Sequence, residues 1–208
     1  MSVTIVCEHP LALEKLARLR DKNTPPAQFR SLLEEISAIL GLKALEGLRT
    51  RACTVATPLK TAQGRELDQP IVLAAVLRAG LGMTSGISRV VPEAKIGHIG
   101  LYRNEETLNP VRYYVRLPKD LDKSFVLLCD PMLATGGSAV ESIRILKTDG
   151  ATQITLVSLL AAKQGLRRVQ REHPDVRIVV AGVDPVLNRK GYIVPGLGDA
   201  GDRIFGTL

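Results

Sequence analysis

The sequence predicts an α/β protein with a mostly parallel central sheet flanked by helices. Three observations carry that prediction. From Ile71 onward, short unbroken apolar runs alternate with segments of helical periodicity. The runs lack a polar residue at every second position, as strands covered on both faces require. Glycine-containing turns follow two of them directly: Arg78–Gly82 after Ile71–Leu77, and Asp130–Gly137 after Phe125–Cys129. Alternating strands and helices give parallel pairing, and ligands of such sheets gather outside the carboxyl ends of the strands.

Taken in order, residues 1–60 predict a helical part. Leu11, Leu13, Leu16 and Leu19 recur at roughly helical spacing, and Leu32, Leu33, Ile36, Ile39 and Leu40 do so more clearly. Thr24 before Pro25 and Pro26 suits a helix start, and Gly41 suits its end. Thr61–Pro70 is polar and reads as a turn. Ile71–Leu77 is the first buried strand and Phe125–Cys129 another, with a helix after it to Lys147. Ile154–Leu160, a helix near Leu166–Glu172, and Arg177–Ala181 continue the alternation. Tyr102–Leu117 (YRNEETLNPVRYYVRL) reads as a polar turn between extended flanks, a mobile β-hairpin over the site. Gly191–Leu208 holds too many glycines for a regular element and is expected to be a closing tail. The expectation is a single domain over 1–208. It comprises a helical part (1–60), an α/β core (71–182) with the hairpin (102–117), and a tail (183–208), without repeat, coiled coil or linker.

Composition narrows the function classes. A chain of 208 residues with 45% hydrophobic residues can bury a full core, and with no tryptophan that core must rest on Leu, Val, Ile and Ala. No apolar run approaches the ~20 residues of a membrane span, and MSVTIVCEHP lacks the pattern of a signal peptide, so a cytoplasmic location is expected. Cys7, Cys53 and Cys129 are odd in number and far apart, which suits buried thiols better than a disulfide or zinc framework. His9, His98 and His173 show no metal-ligand spacing. The formal charge of +7 is spread in short pairs such as Arg167–Arg168 and Arg189–Lys190, without the interleaved aromatics of a nucleic-acid platform. Most of these pairs read as solvated faces. Neither nucleic acid nor membrane is an expected partner.

The chemistry concentrates in FVLLCDPMLATGGSA, Phe125–Ala139. A buried strand ends in Asp130, and Thr135, Gly136, Gly137 and Ser138 then open a helix. The glycines let backbone amides approach an anion, the helix N-terminus adds a positive dipole, and the two hydroxyls donate to the same point. A carboxylate at the strand end suits another partner, such as vicinal ribose hydroxyls. The loop is therefore suited to hold a sugar phosphate at two points. It is not a Walker loop, because the GxxxxGK[ST] lysine is absent.

DPMLATGGS at Asp130–Ser138 resembles the phosphoribosyl-diphosphate motif of the type I phosphoribosyltransferases, in the form found in the uracil phosphoribosyltransferase family. Many members of the wider superfamily carry two adjacent acids here, whereas this chain has Asp130 followed by Pro131, as in the uracil branch. Further segments match the same family in order: LRDKNT at Leu19–Thr24, FR at Phe29–Arg30, LRAGLGM at Leu77–Met83, YRNEETLNPV at Tyr102–Val111 and GYIVPGLGDAGDRIFGT at Gly191–Thr207. The resemblance spans nearly the whole chain. It implies the type I phosphoribosyltransferase fold, with a mobile hairpin and a C-terminal hood over the base. The implied reaction moves phosphoribosyl from 5-phospho-α-D-ribose 1-diphosphate to uracil, giving UMP and diphosphate.

Site roles follow from the resemblance residue by residue. Asp130 would bind the ribose hydroxyls, and Pro131, Met132 and Leu133 would belong to the same phosphoribosyl-diphosphate-binding segment. Ala134, Thr135, Gly136, Gly137 and Ser138 would cradle the 5-phosphate. Arg78, Ala79 and Gly80 resemble the diphosphate loop, and Arg103 would reach the diphosphate from the hairpin. Ile193, Gly198, Asp199 and Ala200 resemble the base pocket, whose backbone groups would read the imide edge of uracil; Asp199 would also lie near the donor. Asp130, Arg103 and Asp199 are the implied catalytic residues. Magnesium is the implied cofactor, held mainly through diphosphate and ribose oxygens rather than by a protein cage. GTP, an activator in parts of the family, is a candidate effector, and a homodimer or dimer of dimers is expected.

Three departures from the family pattern stand out. Leu42–Lys43 occupies a usual Tyr-Glu position, Lys163–Gln164 a usual Pro-Glu, and Arg189–Lys190 a usual Glu-His. All three are expected outside the substrate motifs, bearing on subunit contacts and effector control. The alternatives are transfer to another nucleobase, which a base comparison distinguishes, and a nucleotide-sensing RNA-binding regulator on the same fold. Salt-dependent RNA binding would mark the second.

Overall fold

Apolar runs become central strands here because their side chains alternate between two helical layers. The computed structural model describes residues 3–103 and 110–207. In chain order the elements are β1 (Thr4–Val6), α1 (Pro10–Arg20), α2 (Pro26–Leu45), β2 (Thr50–Ala56), β3 (Thr61–Leu67), β4 (Ile71–Leu77), α3 (Gly80–Ser88), β5 (Lys95–Arg103) and β6 (Pro110–Arg116). There follow β7 (Phe125–Cys129), β8 (Met132–Leu133), α4 (Gly137–Thr148), β9 (Gln153–Ala162), α5 (Lys163–Glu172), β10 (Arg177–Asp184), β11 (Val186–Leu187), β12 (Ile193–Val194) and α6 (Ala200–Phe205).

The main sheet runs β1-β10-β9-β7-β4-β5-β6, with β8 added beside β9. All neighbours pair in parallel except β5 and β6. On β4, Ile71 and Leu73 enter one core cluster while Val72, Ala74 and Val76 enter the other; on β7, Leu127 and Cys129 oppose Val126 and Leu128 in the same way. The first cluster is completed by α1, α2 and α3 through Leu16, Phe29, Ile36, Met83 and Ile87. The second is completed by α4 and α5 through Val140, Ile143, Leu166 and Val169. Strand β4 has β5 on one side and β7 on the other, so the chain reverses its direction of progress across the sheet there. The loops leaving β4 and β7 therefore face each other across a crevice, where α/β sheets bind ligands.

Several expectations need correction. Residues 1–60 are helical only in part: Thr4–Val6 is an edge strand of the main sheet and Thr50–Ala56 is a strand. The stretch read as a turn at Thr61–Pro70 contains β3, which pairs with β2 in an antiparallel ribbon. Most of that ribbon is exposed, so it carries no apolar stripe to announce it. Helix α2 does not stop at Gly41; it runs to Leu45, because Gly41 is buried where a Cβ would come within 3.0 Å of Ile87 Cγ1. The tail, read as irregular, includes β12 and the short helix α6. Strand β5 has no counterpart in the sequence reading before Tyr102. Its Gly97 and Gly100 sit under the side chains of Leu117 and Tyr113 and break its apolar pattern. The hairpin expected over Tyr102–Leu117 is present as the β5–β6 pair, Tyr102 opposite Val111 and Arg103 opposite Pro110; its turn, 104–109, lies outside the described residues.

Cys7 and Cys129 are buried, Cys53 is half-buried, and all are free thiols. No helix among the described residues is long and apolar enough to cross a membrane.

Candidate active site

Strand β7 ends in Cys129, and the next residue, Asp130, stands at the carboxyl end of this central strand. The Asp130 N–H still bonds Val157 O (3.2 Å), so the backbone remains in register while its side chain leaves it. The Asp130 carboxylate accepts from Met132 N–H at 3.3 Å. Burial pushes this carboxyl up to about 6, against the weaker downward pull of the Met132 N–H. Beside it, burial pushes the Cys129 thiol up to about 12.

The chain then makes the short strand β8 and turns into α4 through Gly136. With φ of 80°, Gly136 occupies a left-handed conformation that only glycine adopts readily. Helix α4 has no side-chain cap and no acidic residue in its first turn. The N–H groups of that turn and its positive dipole end are therefore directed at the loop. Arg168 of α5 lies behind the loop, its Nη1 3.4 Å from where a Gly137 Cβ would stand, and pairs with Glu172 (Nε–Oε1 3.1 Å). A guanidinium thus adds positive potential from the outer side.

The second loop leaves β4. Gly80 begins α3 and packs so closely that a Cβ there would fall 2.3 Å from the carbonyl oxygen of Cys129. That contact binds the loop after β4 to the end of β7. Arg78 is exposed at the rim, 3.7 Å from Asp202 Oδ1 and over the Phe205 ring at 5.6 Å from its centroid.

The third wall is the tail. Asp199 caps α6, its Oδ1 accepting from Asp202 N–H at 3.0 Å. Together the three segments enclose a cleft of about 350 Å³. Of the expected donor residues, Ala79 and all of Asp130–Ser138 line it; of the expected base residues, Ile193, Gly198, Asp199 and Ala200 do. Arg78 and Gly80 do not line it, although Arg78 Nη2 lies 3.9 Å from where a Cβ on the lining residue Gly201 would stand. Arg103 is the last residue of β5, and its expected side-chain role lies outside what is described.

Lys190, Gly191, Tyr192 and Gly201 also line the cleft, and the sequence reading assigned them no substrate role. Three of them fall inside the tail motif, which was the available signal. Lys190 corrects the expectation that Arg189–Lys190 lies away from the substrate motifs: the Asn188 carboxamide accepts from Lys190 N–H (2.9 Å) and Tyr192 N–H (3.0 Å), folding this turn against the cleft. The three histidines stay apart from it; His173, for example, is buried with Nε2 3.1 Å from Val140 O. Among the described residues, no three His, Cys, Asp or Glu side chains are grouped to hold a metal ion.

A mostly parallel sheet whose β4 and β7 loops meet at one crevice, with a β5–β6 hairpin and a C-terminal tail, is the phosphoribosyltransferase architecture. The adenine phosphoribosyltransferase of Thermoanaerobacter pseudethanolicus shares this fold at TM-score 0.54 and 14% identity, over 82% of this chain and 99% of that one. A far nearer likeness is the structure of the AQ2163 protein from Aquifex aeolicus, at TM-score 0.93 and 38% identity over 98% of both chains. The uracil phosphoribosyltransferase of Thermus thermophilus is 51% identical over 208 residues, all of both chains. The family model described as uracil phosphoribosyltransferase matches residues 6–207, and the chain belongs to that family.

Proposed function

We infer that the chain transfers phosphoribosyl from 5-phospho-α-D-ribose 1-diphosphate to uracil, giving UMP and diphosphate in pyrimidine salvage. One observation carries this reading best: the donor loop Asp130–Ser138 and the base segment Gly198–Ala200 line a single cleft although they lie far apart in sequence. In the proposed assignment, the α4 N-terminus, Thr135 and Ser138 bind the 5-phosphate, and Asp130 accepts from the ribose hydroxyls. Backbone groups of Ile193 and Gly198–Ala200 read the imide edge of the base.

Uracil N1 attacks ribose C1 while the C1–oxygen bond breaks, and that electron pair leaves on the diphosphate. Positive charge develops on the ribose, so the site must place the two reactants in line and stabilise separating charge. The Asp130 carboxylate is suited to steady a cationic sugar near it. Arg78 at the rim and Arg103 on the hairpin are proposed to take the negative charge of the leaving group. Asp199, on the cleft wall, is the proposed acceptor of the N1 proton. Closure by the hairpin keeps water from the sugar.

The donor set fits magnesium held mainly by the substrate. Asp130 and Asp199 are the only carboxylates lining the cleft among the described residues, and magnesium commonly takes one or two carboxylates with substrate oxygens and water. When bound, the ion would neutralise diphosphate charge. The proposed setting is cytoplasmic and the proposed assembly a homodimer or dimer of dimers, with GTP as the candidate effector.

The test supplies labelled uracil with the diphosphate donor and magnesium. UMP and diphosphate should appear one for one; formation of neither, in a chain that binds the donor, would contradict the reading. Arg103→Ala should raise the donor KM about tenfold, as expected for one lost charge-assisted contact of about 1.5 kcal/mol. An unchanged donor KM would remove Arg103 from the mechanism.

A further inference from the structure

The tail that lines the cleft is anchored by arginines, and the anchor reaches into the N-terminal helices. At the end of α1, Arg20 makes a bidentate pair with buried Asp184 (2.7 and 2.8 Å) and donates to Gly196 O at 2.8 Å. The same carboxylate accepts from Gly196 N–H at 2.9 Å. From α6, Arg203 reaches back to α1: it donates to Leu19 O, to Asp21 O (2.6 Å) and to Leu197 O (2.9 Å). Its guanidinium stacks over Phe29 at 4.4 Å from the ring centroid. From α2, Arg30 donates to Ile204 O at 2.9 Å.

The positions held are informative. Gly196 O and Leu197 O immediately precede Gly198–Ala200, and Ile204 O follows them. Planar guanidinium forks fix orientation as well as distance. The loop between these clamps has mainly backbone groups to offer a base, and a backbone reader cannot adjust one contact without moving its neighbours.

We propose that Arg203, with the Arg20–Asp184 pair and Arg30, positions the base-reading tail against the N-terminal helices and thereby sets the affinity for the acceptor base. These are positioning residues; their effect passes through the backbone of Gly196–Ala200. The proposal rests on the assignment of that segment to the base. It gives the N-terminal motifs LRDKNT and FR a task in acceptor binding, although neither Leu19–Thr24 nor Phe29–Arg30 lines the cleft.

Steady-state kinetics with each substrate varied separately test it, on wild type, Arg203→Met, Arg203→Lys and Asp184→Asn. Arg203→Met should raise the uracil KM tenfold or more and leave the donor KM within twofold. Arg203→Lys, which keeps the charge but not the fork, should fall between. Asp184→Asn keeps the side-chain shape, removes the charge that Arg20 and Gly196 N–H share, and leaves the Arg203 and Arg30 arms in place, so it is the variant that decides if Arg203→Met does not fold; a three- to tenfold rise in uracil KM is expected. A uracil KM within twofold of wild type in folded variants, or both KM values rising in proportion, would overturn the proposal. A wild-type chain that is inert toward uracil but active on another base would retire the uracil reading alone, and the same criteria would then apply to that base. A chain inert toward every base would retire both.

Discussion

Asp130 shows how one residue's setting links stability to function. Its carboxyl is pushed from an ordinary 3.8 up to about 6 because it sits half-buried at the end of a central strand. The folded chain then holds this proton more tightly than the unfolded chain, so the Asp130 contribution to stability declines as pH rises from about 3.8 to about 6 and stays low above. Asp130→Asn does not ionise and still offers an oxygen to Met132 N–H. It should therefore gain on wild type by about 1–2 kcal/mol at pH 8, the full shift being discounted for partial exposure, and by almost nothing at pH 4. Urea melts at the two pH values check this, and an equal difference at both would contradict it. In the same variant, transfer at pH 8 should fall about 100-fold or more, since a neutral amide supports a developing cation poorly. Wild-type donor binding should weaken as pH drops through about 6 in the ligand-free protein. Full activity in Asp130→Asn would remove the role assigned to it.

At the scale of elements, the close joint between α3 and β7 holds together the two loops of the proposed donor site. Gly80→Ala places a methyl where Cys129 O already stands, at 2.3 Å, and rigid backbone must move. A loss of about 1–3 kcal/mol of stability is expected from such overpacking, with a several-fold rise in donor KM because both donor loops spring from this joint. Unaltered melting and kinetics would show that the joint is looser than described. The elements legible in the sequence share a physical cause. Ile71–Leu77 and Phe125–Cys129 are buried on both faces, so their burial is written in every residue. The β2–β3 ribbon is solvated on both faces and offers no such record, and α2 passes through Gly41 because a neighbouring helix needs the space. That Asp130–Ser138 forms a loop at the cleft is legible from Asp130 and the glycines that follow it, since the pattern is local. The positions of Lys190 and Tyr192 in the cleft were not, because they depend on how a turn far along the chain folds back.

Over the whole molecule, the N-terminal helices α1 and α2 hold the tail that lines the cleft. The Asp184 carboxyl lies below its ordinary 3.8: burial pushes it up, but the Arg20 pair and the Gly196 N–H outweigh that. The stability from this pair is therefore fully present above about 3.8 and is lost as pH falls further, through the lower folded value. Asp184→Ala leaves Arg20 without its partner and should cost about 3 kcal/mol at pH 7. That cost should shrink in acid, where wild type loses the pair as well; a cost independent of pH would point to packing alone. In the proposed assignment, the donor loop and the arginine-held tail divide the work, one end of the cleft retaining the sugar phosphate and the other choosing the base. The most direct test of that division is a single competition reaction, with equal uracil, cytosine and hypoxanthine offered together with the diphosphate donor and magnesium, and the nucleotides resolved by mass. UMP should be the only nucleotide formed in quantity. CMP or IMP as the main product would contradict the account.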